Sequence, residues 1–401
     1  MQNKTQEEKW LKDRLKIVGA SEISTVIKSE CTEDDIRKAM SDSADEFLND
    51  KLFVSPFALY HYKKELAEPE PFSPVLSEFG HEMEKYAVID FNRKNYEIIS
   101  KNHERINAVA ENKPQELIYC KELHKLCAYT PDAFIEFGNS KTLHKDVIKN
   151  DKAIFEIKTS NLFKFHQDNW GIPEEQKEVK FQYIIQAQYQ LWIQNKIDPK
   201  FKWAVIACIL PKEKEIDNDF WKGKAVAWCQ DLTDKNFKKL QENFAVYYWI
   251  YPIFKTLHPL FEKALNKWGE RLENNIEPKP NIENNTDIKI QKEKLLNNME
   301  DFKIMCQKKF GKENQGIIEF TEALKQKYED IYDKLCIDKQ NREDKLSADK
   351  AIKEFEAKMI NFCVQEKCLG FNIDDSTIHI KKWGKYLRIM NNFKTNMEKL
   401  E

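Results

Sequence analysis

The sequence predicts a mixed α/β fold, with a core of about 250 residues and a mainly helical C-terminal extension. The chain has 401 residues, which is enough for two or three domains. Strand-like and helix-like segments alternate between residues 126 and 210, whereas the chain beyond residue 288 is rich in Lys and Glu at helical spacing. The predicted parts are a core over 1–255, a linker over 256–288 and a helical arm over 289–401 with a terminal β-like segment.

Helices and strands follow one another along the predicted core. Residues 8–28 have the pattern of a helix, a turn and the start of a second helix, for which Ser21 is a suitable N-cap. Residues 78–93 form an amphipathic helix by their apolar spacing. The later segments are two strands over 126–137 with a break at Pro131, a strand over 153–158, a helix over 181–195 and a buried strand over 203–210. This order predicts a mixed central sheet flanked by helices.

The C-terminal part differs in pattern. Residues 274–288 contain the Pro and Asn residues of a linker. Residues 289–365 carry apolar side chains at helical spacing, which predicts a pair of solvated amphipathic helices or, as an alternative, a coiled-coil hairpin or a packed helical arm. Residues 370–390 return to a β-like alternation.

The composition argues against several classes of protein. Lys plus Arg total 65 against 67 Asp plus Glu, so the net charge is −2 and DNA binding requires a local basic patch. No glycine-rich nucleotide loop occurs, and nine scattered cysteines without a CxxC pair predict free thiols. The longest apolar runs are far shorter than the ~20 residues of a membrane span, and the N-terminus lacks the apolar core of a signal peptide. These features predict a cytoplasmic protein.

The strongest chemical signal is Asp132 followed by Glu156-Ile157-Lys158. Residues two apart on a strand point to the same face, so Glu156 and Lys158 are predicted to lie side by side. Asp132 ends a preceding strand at a distance that suits a hairpin return. Two carboxylates offer hard oxygen ligands to Mg²⁺, and a lysine beside a metal-bound water favours loss of its proton. The alternative is an edge-strand salt bridge between Glu156 and Lys158.

Three further polar residues are candidates for the same site. Glu84 shares a helical stripe with Val88 and Phe91, so its carboxylate is predicted to face the core, where it needs a partner or a metal. Gln186 and Gln188 lie in an otherwise apolar helix and could hold a water, a metal-ligating carboxylate or a phosphate. The alternatives are a surface glutamate and ordinary polar-face glutamines.

Arg14 is one of only seven arginines, beside 58 lysines, a Lys excess that is typical of an AT-rich genome. A guanidinium binds phosphate bidentately, whereas lysine acts as a point charge. Ser21 follows seven residues later at a predicted helix N-terminus, where backbone N–H groups attract anions. The pair predicts a pocket for a terminal phosphate. The alternative is an N-cap serine and a surface arginine.

Six short motifs occur in order between residues 10 and 192. They lie at residues 10–27, 55–63, 80–84, 129–132, 155–159 and 183–188. In type and order they resemble the motifs of the lambda-type (YqaJ-like) phage exonucleases, which are PD-(D/E)XK nucleases. The resemblance implies a restriction-endonuclease-like core over the first part of the chain and does not extend beyond about residue 255.

The resemblance implies a Mg²⁺-dependent exonuclease, with Mn²⁺ as a substitute, that degrades linear duplex DNA from 5′ ends during recombination. The implied roles are metal binding by Asp132, Glu156, Glu84 and the carbonyl of Ile157, assistance to the attacking water by Lys158, water positioning by Gln186 with Gln188 as a secondary candidate, and 5′-phosphate binding by Arg14 and Ser21. The implied partners are double-stranded DNA ends, a single-strand annealing protein and, in a ring-shaped trimer, two further copies of the chain.

Other functions share parts of this pattern. An endonuclease or an iron–sulfur nuclease could use the same core, although the cysteine spacing supplies no cluster. A non-catalytic DNA-binding or plasmid-maintenance protein could retain the fold, although it would not need both carboxylates and the lysine. A structural coiled coil would need a larger helical share of the chain.

Overall fold

The structure, a computed structural model, describes most of the chain. The described residues are 2–69, 73–99, 108–112, 116–137, 151–162, 165, 179–311, 317–319, 321–328, 345–373, 376–383 and 386–393. The chain divides into two units, residues 1–277 and residues 278–401.

The first unit contains a five-stranded mixed sheet with helices on both faces. Its helices are α1 (Gln2–Leu15), α2 (Ile23–Glu30), α3 (Glu33–Met40), α4 (Ala44–Asn49), α5 (Pro56–Lys63), α6 (Pro74–Ile99), α7 (Phe181–Ile197), α8 (Asp219–Gln230), α9 (Asp234–Asn243) and α10 (His258–Glu273). Its strands are β1 (Ala108–Asn112), β2 (Ile118–Tyr119), β3 (Ala128–Tyr129), β4 (Ala133–Phe137), β5 (Lys152–Thr159), β6 (Phe201–Pro211) and β7 (Phe244–Pro252). The sheet order is β1-β4-β5-β6-β7, with β5 and β6 parallel and the other neighbours antiparallel, while β2 and β3 form a separate pair. The predicted mixed α/β core is confirmed.

Alternation along β5 divides its side chains between the two layers of helices. Phe155 and Ile157 are buried in the layer that contains α6, α8 and α9. Ile154 is buried in the opposite layer, with α2, α7 and α10. Glu156 and Lys158 have the same parity as Ile154, so both side chains point toward α7.

The antiparallel pairing of β4 with β5 brings Asp132 to the same part of the sheet. Ala133 lies opposite Phe155, and Asp132 immediately precedes it. The Oδ2 atom of Asp132 accepts a hydrogen bond of 2.8 Å from the backbone N–H of Ile157. The chain therefore returns as the spacing of the two motifs predicted.

Residues 256–288 differ from the continuous linker that we predicted. Within this range, residues 258–273 form α10, whose Leu260 and Trp268 are buried in the layer with α2 and α7. The apolar stripe of this helix needs a partner and finds it in the core. The first unit therefore extends to Glu277, whose Oε1 lies 2.6 Å from Nε2 of the buried His61 on α5.

The second unit combines helices with a small sheet. Its elements are α11 (Asn285–Phe310), β8 (Ile317–Glu319), α12 (Glu322–Lys327), α13 (Lys345–Gln365), β9 (Gly370–Ile373), β10 (Ser376–Trp383) and β11 (Tyr386–Phe393). The sheet order is β11-β10-β9-β8, and its apolar side chains share one core with α11 and α13. Long helices and a terminal β segment agree with the sequence pattern. Strand β8 falls inside the stretch predicted to be helical, because its two β-branched isoleucines pair with β9.

The cysteines within the described ranges are free thiols, and most of them are buried. Burial raises the pKa of Cys127 and of Cys229 to about 12, so these thiols are unreactive at neutral pH. Over the same ranges, no helix is long and apolar enough to cross a membrane.

Candidate active site

Glu156 is the centre of the best-defined polar cluster in the first unit. Its side chain is only 1% exposed. Nε2 of Gln186 donates to Oε1 at 2.6 Å, and Nε2 of Gln190 donates to Oε2 at 2.5 Å. Nζ of Lys158 lies 2.5 Å from Oε1. Three donors thus hold this buried carboxylate in one orientation, as an ionised group in a core requires.

The donors from α7 belong to a row of glutamines on one buried face of the helix. The row consists of Gln182, Gln186, Gln190 and Gln194, each four residues after the previous one. Spacing by four places side chains on one helical face. Our sequence reasoning missed Gln190, although its position four residues after Gln186 was a usable signal.

Gln188 lies on a different side of α7 from this row. Its Nε2 donates to the carbonyl of Pro252 at 2.8 Å, and its Oε1 accepts from the N–H of Phe254 at 2.7 Å. The side chain therefore joins α7 to the segment that follows β7. The structure does not bring this secondary candidate to the Glu156 cluster.

Asp132 and Glu84 place further negative charge beside Glu156. The pKa of Asp132 is raised well above its ordinary value, first by burial and then by the charges of Glu156 and Glu84. Glu84 on α6 is 21% exposed, and its Oε1 lies 3.6 Å from Nδ1 of His81. The carboxylate of Glu84 is thus half-buried at the margin of the cluster, rather than enclosed in the core as its helical stripe suggested.

Lys158 is a permanent cation in this arrangement. Burial by itself would lower its pKa, but the charges of Glu156 and Asp132 outweigh burial and raise the pKa above the ordinary value. Nζ also lies 5.5 Å from the ring centroid of Tyr183 on α7. A lysine of this kind can orient an anion or a water and stabilise negative charge, but it does not accept a proton at neutral pH.

The residues present fit a divalent cation in donor type and in charge. Carboxylate and carbonyl oxygens are the ligands that Mg²⁺ prefers. Burial first, and then the charges of Glu156 and Glu84, raise the pKa of Asp132, and a bound cation would offset those charges. Within the described residues, no three His, Cys, Asp or Glu side chains are arranged as a preformed metal centre. Mg²⁺ commonly takes one or two carboxylates and completes its shell with water and phosphate.

A second polar cluster surrounds Arg14 at the end of α1. Nη2 of Arg14 donates to Oγ of Ser21 at 3.0 Å, and its guanidinium lies 5.1 Å from the ring centroid of Trp10. The two predicted residues are therefore adjacent. Ser21 is not the predicted N-cap, because α2 begins at Ile23 with Glu22 at the capping position. Its hydroxyl is used by Arg14 instead.

An ion pair between Lys63 and Glu22 holds the backbone beside Arg14. Oε2 of Glu22 accepts from the N–H of Gly19 at 2.8 Å and lies 2.7 Å from Nζ of Lys63. Lys63 also donates to the carbonyl of Arg14 at 2.8 Å. The Lys63 side chain is 3% exposed, and burial lowers its pKa against the opposing effect of Glu22. Nothing in the sequence distinguishes Lys63 from the other lysines, so it was missed.

Comparison with known proteins adds one finding. Residues 9–196 match the family model of the YqaJ-like viral recombinase domain. The matched range includes both polar clusters. No curated protein and no solved structure gives a significant match to the chain.

Proposed function

Because residues 9–196 belong to the YqaJ-like viral recombinase family, we propose that the protein is a metal-dependent nuclease that hydrolyses DNA during phage- or plasmid-type recombination. The observation that carries the proposal is the cluster of Asp132, Glu156 and Lys158 inside this domain. A structural salt bridge would not need a second buried carboxylate beside it, because like charges destabilise each other.

The side chains of the cluster have distinct proposed roles. Asp132 and Glu156, with the carbonyl of Ile157 and with Glu84 at the margin, would hold Mg²⁺ or Mn²⁺. When bound, the ion supplies charge that polarises the phosphate and lowers the pKa of the attacking water. Gln186 and Gln190 fix the orientation of Glu156. Lys158 would orient the attacking water and stabilise the negative charge that develops on the phosphate.

The Arg14 cluster supports a preference for DNA ends. Arg14 and Ser21 present a guanidinium and a hydroxyl side by side, which are groups that bind a terminal phosphate. The Lys63–Glu22 pair fixes the backbone beneath them. We therefore propose degradation from 5′ ends of linear duplex DNA. By family resemblance the proposal extends to a homo-oligomer, such as a trimer, and to a single-strand annealing partner.

End-labelled linear duplex and closed circular duplex, each incubated with Mg²⁺, test this proposal. The linear 5′-phosphorylated duplex should lose nucleotides from its 5′ ends, and the circle should stay intact. Lys158→Ala should lower the rate by about 10²–10³-fold, which is the usual loss when one group that stabilises the charge of the transition state is removed. Lys152→Ala is the matched control, because Lys152 lies on the same strand but pairs with Asp198 at 3.0 Å.

Other results of this experiment would favour one of the alternative functions. Cleavage of the circle at a similar rate would indicate an endonuclease. A gel shift of the duplex without degradation in Mg²⁺ or Mn²⁺ would indicate a non-catalytic DNA-binding protein. Full activity in Lys158→Ala would remove this cluster from the chemistry.

A further inference from the structure

Gln182 differs from the other members of the glutamine row on α7. Gln186 and Gln190 donate to Glu156, and Gln194 accepts from the hydroxyl of Tyr129 at 2.8 Å. Gln182 is only 2% exposed, yet neither its Nε2 nor its Oε1 has a hydrogen-bond partner among the described residues. One member of the row is thus buried with neither amide atom paired to a residue that the structure describes.

Gln182 lies at the Lys158 side of the candidate active site. It precedes Gln186 by four residues on the same helical face, which is about 6 Å along the helix axis. Its neighbour Tyr183 places its ring 5.5 Å from Nζ of Lys158. The row therefore continues from the residues that hold Glu156 toward the lysine.

An amide in this state is unfavourable to the free protein. Buried polar groups are nearly always hydrogen-bonded, and an apolar side chain of the same size would avoid the loss of hydration. Such a conflict between sequence and folded state is expected where a ligand supplies the missing partner. Gln182 has both a donor and an acceptor to offer to that ligand.

Resting on the proposed function, we propose that Gln182, whose amide atoms are closed to solvent in the free protein, turns toward the DNA strand that is cut when that strand binds, with Nε2 donating to an oxygen of a backbone phosphate and Oε1 accepting from a water bound with the strand. A phosphate is favoured over a base edge because removal of successive nucleotides demands contacts that do not depend on sequence.

The test pairs thermal unfolding with DNA affinity for Gln182→Met, a change that keeps the size of the side chain and removes its polar atoms. Affinity for a 5′-phosphorylated duplex is measured by fluorescence anisotropy with Ca²⁺ in place of Mg²⁺, and a gel checks that the DNA stays intact. Gln194→Met is the matched control from the same row, because it leaves the Tyr129 hydroxyl without its partner. Gln182→Leu serves as a second apolar variant.

The two variants should change in opposite ways. Gln182→Met should unfold at or above the wild-type temperature and bind the duplex about tenfold more weakly, as loss of one hydrogen bond to a charged group predicts. Gln194→Met should unfold at a lower temperature and keep its affinity. Neutral methylphosphonates at the cleaved end keep a phosphoryl oxygen but lose the charge, so the difference in affinity between wild type and Gln182→Met should become smaller with them.

Two other results would contradict the proposed contact between Gln182 and DNA. Unchanged affinity in Gln182→Met, or unfolding of both Gln182 variants below the wild-type temperature, would overturn it while leaving the proposed function intact. A wild-type protein that neither binds nor cuts the duplex would overturn the proposed function itself.

Discussion

Two lysine–glutamate pairs in the first unit, each with one buried and one partly buried side chain, have similar geometry but opposite shifts in the lysine pKa. Lys158 and Glu156 approach to 2.5 Å, and Lys63 and Glu22 approach to 2.7 Å. Both glutamates accept additional hydrogen bonds, from two glutamines in one case and from the backbone of Gly19 in the other. The pKa of Lys158 is nevertheless raised, whereas the pKa of Lys63 is lowered.

The charges around each pair account for the opposite shifts. Burial by itself acts to lower the pKa of each lysine. Beside Lys158, the extra carboxylate of Asp132 adds to Glu156 and reverses the effect of burial. Beside Lys63, the guanidinium of Arg14 acts in the same direction as burial. One cluster therefore carries excess negative charge and suits a cation, and the other carries excess positive charge and suits an anion.

Asp132→Asn removes the extra carboxylate from the Lys158–Glu156 cluster. Among the substitutions that test this comparison, it has the largest expected effect. The neutral amide removes the excess charge, so we expect a loss of about 10³-fold in DNA cleavage, the scale of several kcal/mol of metal-derived stabilisation. Mg²⁺ should raise the unfolding temperature of the wild type by mass action and should no longer do so in the variant.

Glu136→Gln is the control for that prediction, since Glu136 lies on β4 four residues after Asp132 but is 69% exposed. It should keep both the activity and the response to Mg²⁺. Equal responses to Mg²⁺ in wild type and Asp132→Asn would show that Asp132 does not bind the ion.

Arg14→Lys tests whether the positively charged cluster of Arg14 and Lys63 binds a phosphate, and we expect an effect of about tenfold. The charge remains, but the planar fork that binds two phosphate oxygens is lost. We expect the preference for 5′-phosphorylated over 5′-hydroxyl duplex ends to fall about tenfold, the value of one charge-assisted hydrogen bond. The rate ratio for the two substrates measures the effect. Arg37→Lys is the control, because Arg37 is exposed and pairs with Glu33 and Asp45; a preserved preference in Arg14→Lys would place the phosphate elsewhere.

The smallest expected effect is a pH dependence of stability in EDTA. The folded-state pKa of Asp132 lies above its ordinary value of 3.8, so the stability that this group contributes is present below that value and is lost as pH rises through the folded-state pKa. Asp132→Asn should therefore match the wild type near pH 4 and unfold at a higher temperature near pH 7. Each kcal/mol corresponds to about 2–4 °C. A difference that is constant from pH 4 to pH 7 would contradict the raised pKa.

Local patterns in the sequence were sufficient for the strand that carries Glu156 and Lys158 and for the helix that carries Gln186. Strand alternation and helical spacing act over a few residues and are visible in the sequence. The adjacency of Arg14 and Ser21 was also predictable, although the reason was wrong, because the serine accepts from the arginine and does not cap α2.

Features that depend on distant contacts were missed. Lys63 is buried only because α5 packs beneath the turn before α2, and no local pattern marks one lysine for burial. Helix α10 was assigned to a linker because its partners, α2 and α7, are far away in sequence. Glu84 lies on an apolar stripe, but its carboxylate reaches the margin of the cluster, which depends on how α6 meets the sheet.

The contact between His61 and Glu277 shows where the domain can be cut. The YqaJ-like match ends at residue 196, before β6. A fragment that ends there would leave β5, the strand of Glu156 and Lys158, as an unprotected sheet edge that is open to aggregation. The shortest piece of the chain that keeps the whole sheet, α10 and the anchored last residue ends at Glu277. The segment of family likeness is therefore shorter than the compact unit that contains it.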